Sequence, residues 1–184
     1  MTRPSLATRV SAFLDEEHVA FALVGATALG VRGFVRGTHD VDFMTLDGRV
    51  FDLDWTSALA GAATVQLLRG DFDDPLRGTV RIELDDEAVD VVVAKWKWQA
   101  AVIERSERLD IGEFSVRVPS VADLVLLKLD AGSYLDERDA AVLIDIHGRD
   151  VIESVTGSLA DLPEKLQTRV RAFLAEVRER GGVA

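Results

Sequence analysis

Asp40 and Asp42 flank a single valine in the run His39-Asp40-Val41-Asp42-Phe43. Val41 and Phe43 alternate with the two acids, which is the pattern of a strand with one apolar and one acidic face. Residues two apart on a strand share a face, so the two carboxylates stand side by side. Like charges that close raise each other's proton affinity unless a cation neutralises them. Mg²⁺ suits such a pair because it takes hard oxygen ligands in an octahedral shell. Taken alone, Asp-x-Asp is common and a weak signal, and an exposed strand face or an acidic turn is its ordinary reading. Two neighbours in the sequence narrow the choice. Upstream, the apolar run Phe21–Val24 stops at Gly25, where a short helix begins. A strand-to-helix junction of this kind offers free backbone N–H groups and a positive dipole end to a phosphate. Downstream, Asp90 stands between Val89 and Val91 in an otherwise apolar strand. A lone carboxylate there costs on the order of several kcal/mol unless it is paired or bound to metal.

A lysine poses the same problem with the opposite sign. Lys128 is surrounded by Val121, Leu124, Val125, Leu126, Leu127 and Leu129 on an almost wholly apolar helix. It must reach water, an acid or a phosphate. Arg36 precedes the acidic strand, where it can steady a phosphate or form a surface ion pair. Asp136 and Asp139 read most simply as an exposed helix start. Trp55, Trp96 and Trp98 read as core or lid packing, with base stacking by Trp96 or Trp98 as the alternative. His39 points away from Asp40 on a regular strand, and His18 and His147 belong to no constellation.

The elements that must hold these residues follow from periodicity. Leu6, Val10, Phe13 and Leu14 form a helical stripe. A helix is expected over Phe51–Ala60, a strand over Thr64–Leu68 and a loop over Asp71–Pro75. Val80, Ile82 and Leu84 alternate with polar residues, then a turn at Asp85-Asp86-Glu87 leads into Ala88–Val93, a hairpin. A helix over Trp96–Arg105 and a strand through Phe114, Val116 and Val118 follow. At Pro119-Ser120 the character changes. Ser120 with Asp123 resembles a capping box, and helices are expected over Val121–Tyr134, over Glu137–Ile146, near Val151 and from Pro163. The expected fold is α/β (α+β): a mixed-sheet core over residues 1–118 and a C-terminal helical subdomain over 119–184 packed on it.

The 184 residues contain no cysteine and three histidines, which removes thiol catalysis, Cys-based zinc sites and disulfides. The formal charge of −11 argues against a general nucleic-acid coat or a binder of anionic membranes, so any polynucleotide must find a local basic patch. No signal-type segment is visible, and no apolar run approaches the ~20 residues needed to span a bilayer. A cytoplasmic location without membrane attachment is the expectation.

The order strand–turn–helix, Asp-x-Asp, then an Asp on a later strand resembles the nucleotidyltransferases of the DNA polymerase β superfamily. Their pattern is a hydrophobic-Gly-[Gly/Ser/Ala] turn, then Arg-x-[Ser/Thr]-x-Asp-[Ile/Val]-Asp, then a third Asp. This chain has Val24-Gly25-Ala26, then Arg36-Gly37-Thr38-His39-Asp40-Val41-Asp42, and Asp90. The run Leu127-Lys128-Leu129-Asp130-Ala131-Gly132-Ser133-Tyr134-Leu135-Asp136-Glu137-Arg138-Asp139 resembles a later motif, Leu-Lys-Leu-x-Ala-Gly-Arg-x-x-Asp-x-x-Asp. That motif belongs to the AbiEii-type and MenT-like bacterial toxin branch. Ala26 stands where many members carry Gly or Ser, and Ser133 where the motif carries Arg.

The resemblance implies a Mg²⁺-dependent nucleotidyltransferase with a two-ion site, Mn²⁺ being the alternative metal. Asp40, Asp42 and Asp90 would be the metal-holding and catalytic acids, and Asp139 a further active-site acid. Gly25, Ala26, Thr27, Arg36, Thr38 and Lys128 would bind the NTP. A nucleoside monophosphate would pass to a hydroxyl on an RNA or tRNA 3′ end, a protein or a small molecule. The branch also implies the toxin of a toxin–antitoxin or abortive-infection pair, with a cognate antitoxin or regulator as partner. The reading from another class is a non-catalytic nucleotide sensor or protein-binding regulator on the same fold.

Overall fold

The computed structural model describes residues 4–59, 63–71, 74–112 and 114–181. They form two compact units: the described residues up to Val31 with Val35–Pro119, and Arg32–Phe34 with the described residues from Ser120 onward.

The first unit begins with α1 (Leu6–Glu16), capped by Ser5 and packed against the sheet through Leu6, Val10 and Leu14. Then follow β1 (Phe21–Val24), α2 (Gly25–Val31), β2 (Asp40–Thr45), α3 (Trp55–Ala58), β3 (Thr64–Arg69), β4 (Gly78–Leu84), β5 (Glu87–Val93), α4 (Lys97–Arg105), β6 (Glu107–Ile111) and β7 (Phe114–Val118). Five strands make one mixed sheet in the order β1-β2-β5-β4-β3, and β6 pairs with β7 in a separate hairpin. β2 and β5 run parallel, and the other pairs of the large sheet are antiparallel. Alternation sets the two faces. Val80, Ile82 and Leu84 of β4 and Val89, Val91 and Val93 of β5 are buried, while Arg81, Glu83 and Asp90 lie on the opposite, half-buried face.

Two expectations change here. The helix expected over Phe51–Ala60 is instead a 3-10 turn at Gly48–Phe51 followed by the four-residue α3. Asp47 and Asp54 each accept a backbone N–H as N-caps, so the chain restarts rather than continues. Ala60 lies outside the described residues, as do Phe72 and Asp73 of the expected loop over Asp71–Pro75. The strand β6 was not expected. Its residues are mostly exposed, and its apolar alternation is limited to Leu109 and Ile111, too short to stand out as a strand.

The second unit holds α5 (Val121–Ala131), α6 (Tyr134–His147), α7 (Arg149–Gly157) and α8 (Glu164–Glu179), with α5 packed against the other three. Ser120 caps α5, accepting from the Asp123 N–H. The single helix expected over Val121–Tyr134 ends at Ala131 because Gly132 takes a left-handed conformation and Ser133 opens a new capping box with Asp136. Arg169 of α8 donates to the carbonyl of Leu129 at 2.9 Å, which ties α8 to the exposed end of α5. Among the described residues, no helix is long and apolar enough to cross a membrane.

Candidate active site: an acidic triad on a mixed sheet

The parallel register of β2 and β5 places Asp42 directly opposite Asp90, and the antiparallel register of β4 and β5 places Asp90 opposite Arg81. Three strands thus contribute a row, Asp42–Asp90–Arg81, with Asp40 two residues along β2 on the same face. Asp40, Asp42 and Asp90 each present a carboxylate oxygen within 4.8 Å of the others. They are the group among the described residues that can hold a metal ion. The three acids singled out from the sequence therefore meet in space.

Each acid is held differently. The Thr38 hydroxyl donates to Asp40 Oδ1 at 2.5 Å, which fixes that carboxylate from the loop before β2. The Asp42 carboxylate lies against the backbone of Gly25: a Cβ at that position would stand 1.8 Å from Asp42 Oδ2. Gly25 also has φ +63°, which glycine adopts without strain. The first residue of α2 is therefore glycine on two counts, backbone conformation and room for an acid. Asp90 accepts from Arg81 Nη1 through Oδ2 at 2.9 Å. Its other oxygen, Oδ1, is buried and has no hydrogen-bond partner among the described residues. Burial pushes the Asp90 carboxyl above the usual aspartate range; Arg81 opposes this and the Asp40 charge reinforces it. A buried, unsatisfied oxygen on an acid clustered with two more carboxylates fits a hard divalent cation.

Arg81 was not a candidate from the sequence. Its Nη1 also lies 3.9 Å from Asp40 Oδ2, and its Nε donates to Glu83 Oε1 at 2.8 Å. The signal was nonetheless present. A two-residue turn at Asp85-Asp86 fixes the hairpin register, and counting back from it pairs Arg81 with Asp90.

The other candidates fall as follows. Ala26 is buried, with its methyl group in the core. Thr27, Thr38, His39, Asp40, Asp86 and Glu87 line a cleft of about 180 Å³ in the first unit. Arg36 is exposed. Trp55 is buried edge-on to Phe13 with its indole N–H donating to the Val50 carbonyl, and Trp98 is buried, whereas Trp96 is 43% exposed.

Lys128 and Asp139 lie in the second unit, where Lys128 Nζ is 2.8 Å from Asp136 Oδ1 and 3.1 Å from Asp139 Oδ2. Of the three outlets open to a lysine on an apolar helix, acids are what the fold supplies. Asp139, expected at an exposed helix start on the simplest reading, is buried. For Asp136, burial acts to raise the carboxyl, but hydrogen bonds from Lys128 and Ser133 outweigh it and hold the group below the usual aspartate range.

Comparison with family models and with curated proteins finds no match. Solved structures do match. The solution structure of the antibiotic-resistance factor ANT(2'')-Ia is 18% identical with a TM-score of 0.54, over 96% of this chain and 95% of that one. The crystal structure of an antigenic nucleotidyltransferase-like protein from Paracoccidioides brasiliensis is 17% identical with a TM-score of 0.50, over 90% and 91% of the two chains. At such identities the likeness speaks for the fold. The chain has a nucleotidyltransferase-like fold, and that fold carries an acidic triad of Asp40, Asp42 and Asp90.

Proposed function

We propose that the protein is a Mg²⁺-dependent nucleotidyltransferase, and the observation that carries this is the triad itself: three carboxylates from two parallel strands, one with a buried oxygen left unsatisfied. Asp40, Asp42 and Asp90 would hold the metal. When bound, it supplies positive charge against the triphosphate and lowers the pKa of a nearby hydroxyl. The rest is work for the chain. Thr38 holds the Asp40 carboxylate in one orientation, and Gly25 leaves room for that of Asp42. The acceptor hydroxyl gives its proton to solvent as its oxygen bonds to the α-phosphorus, the bond from that phosphorus to the bridging oxygen breaks, and pyrophosphate leaves with its electrons. Positioning and charge complementarity account for most of the rate gain in such a transfer.

Gly25, Ala26, Thr27, Arg36 and Thr38 are the proposed contacts to the nucleotide, all in the first unit; the motif at Leu127–Asp139, in which the resemblance makes Lys128 a nucleotide contact and Asp139 a further active-site acid, lies in the second. That motif favours the toxin branch, with an RNA or tRNA end, a protein or a small molecule as acceptor and a cognate antitoxin as partner. One observation favours the non-catalytic reading: Arg81 already satisfies half of Asp90. Incubation with each α-labelled NTP, Mg²⁺ and a total RNA and protein extract separates the two. We expect label transfer by the wild-type chain, reduced to background by Asp40→Asn with Asp42→Asn, and loss of metal-dependent NTP binding in calorimetry. Nucleotide binding without transfer would identify a sensor, and unchanged binding in the double variant would remove the site.

A further inference from the structure

Arg81 sits where a cation is wanted. Its guanidinium pairs with Asp90 Oδ2 at 2.9 Å and faces Asp40 Oδ2 at 3.9 Å, so it lies between two of the three acids. It is not a loose surface arginine that has drifted in. The two-residue turn at Asp85-Asp86 sets Arg81 opposite Asp90 in the ladder, and Glu83, two residues along the same face, takes its Nε at 2.8 Å. The planar fork gives Glu83 and Asp90 separate nitrogens, Nε and Nη1, held in one rigid plane. The arrangement also divides the oxygens of Asp90. Oδ2 is taken by arginine, and Oδ1 is left without a hydrogen-bond partner among the described residues.

Resting on the metal-site reading above, we infer that Arg81 is the built-in counterpart of a second metal ion, so that the triad accepts one divalent cation rather than two. Asp40, Asp42 and Asp90 Oδ1 serve that single ion. The guanidinium supplies the other positive charge, beside Asp90 Oδ2 and Asp40 Oδ2, and it is permanent because arginine does not deprotonate in proteins. An ion entering between Asp90 Oδ2 and Asp40 Oδ2 must displace Arg81 towards Glu83 and then face its charge. Glu83 acts as the tether that keeps Arg81 at the site. This amends the two-ion expectation drawn from the resemblance.

Removing a unit charge about 4 Å from a divalent ion strengthens binding by roughly tenfold, at the dielectric of water and with partial salt screening. The test is a Mn²⁺ titration of the full chain, followed by electron paramagnetic resonance for free ion and by calorimetry for stoichiometry. We expect one ion on the wild-type chain, and on Arg81→Gln either two ions or one bound roughly tenfold more tightly. Arg81→Lys keeps the charge and is expected to stay at one ion near wild-type affinity. Two ions on the wild-type chain overturn the inference without any variant. So does Arg81→Gln with unchanged or weaker binding, the result of a role confined to holding Asp90 in place. Asp40→Asn with Asp42→Asn reports on the underlying reading separately: binding that survives there places the ions elsewhere, whatever Arg81 does. No ion on the wild-type chain or on Arg81→Gln removes the metal site and the role of Arg81 with it.

Discussion

Alanine at position 25 is expected to lower divalent-cation affinity by roughly 10- to 100-fold, the range seen when a residue that orients a metal ligand is lost. The new methyl group would stand 1.8 Å from Asp42 Oδ2, so it must expel the carboxylate from the place it holds beside Asp40 and Asp90. The backbone adds its own cost. Gly25 has φ +63°, and a left-handed conformation costs an L-residue about 1–2 kcal/mol. In a chain of this size that corresponds to a fall in Tm of roughly 2–8 °C. Gly30 in the same short helix is the control. A Cβ there meets nothing within 4 Å, and replacing glycine by alanine inside a helix gains about 0.5–1 kcal/mol. Gly30→Ala should therefore keep wild-type Mn²⁺ affinity with an equal or higher Tm. If Gly25→Ala bound Mn²⁺ as the wild type does, Asp42 would have no part in holding the ion.

That effect cannot be foreseen from Val24-Gly25-Ala26 alone, and the reason separates what the sequence discloses from what it conceals. A glycine at a strand-to-helix junction signals unusual backbone, but what leans on it is decided by β1 pairing with β2, which sets Val24 opposite Asp42. The triad was legible because its parts announce themselves locally: two acids two apart on an amphipathic strand, and one acid in a valine run. Strand β1 was legible to the residue for a similar reason, an apolar run closed by glycine. Arg81 looked like any polar alternate in β4. Its importance comes from the register across a hairpin, which local periodicity leaves silent. The break at Gly132-Ser133 had a local signal, a glycine followed by a Ser-x-x-Asp pattern like that at Ser120, but the expected helix carried the apolar rhythm of α5 through it to Tyr134. Strand β6 was hidden because its alternation is short: Leu109 and Ile111 are two apolar residues, only half-buried, between charged neighbours.

Methionine in place of Lys128 is expected to destabilise the protein by about 3–5 kcal/mol at neutral pH, the cost of removing one partner from a buried charge pair. Methionine fills nearly the same volume, so lost packing is a minor part of this. What remains is two acids with their shared cation gone, the Asp139 side chain only 4% exposed and that of Asp136 17%. The pH dependence identifies the cause. In the wild type, hydrogen bonds from Lys128 and Ser133 hold the folded-state pKa of Asp136 below its unfolded value of about 3.9. That stabilisation is complete above the unfolded value and is lost as pH falls through the folded one. In Lys128→Met the burial of Asp136 remains while its hydrogen bond from Lys128 is gone, so its folded-state pKa rises instead. The variant then loses stability as pH climbs through that raised range. The gap between the two urea-unfolding curves should accordingly be widest near pH 7 and close towards pH 4. A gap of equal size at both pH values would assign the loss to packing. Lys128→Met combined with Asp139→Leu should recover a large part of the loss at pH 7, since an apolar residue of similar size is often no worse than a buried ion pair. A double variant as unstable as the single one would mean that Lys128 does not stabilise the helical unit by answering Asp139.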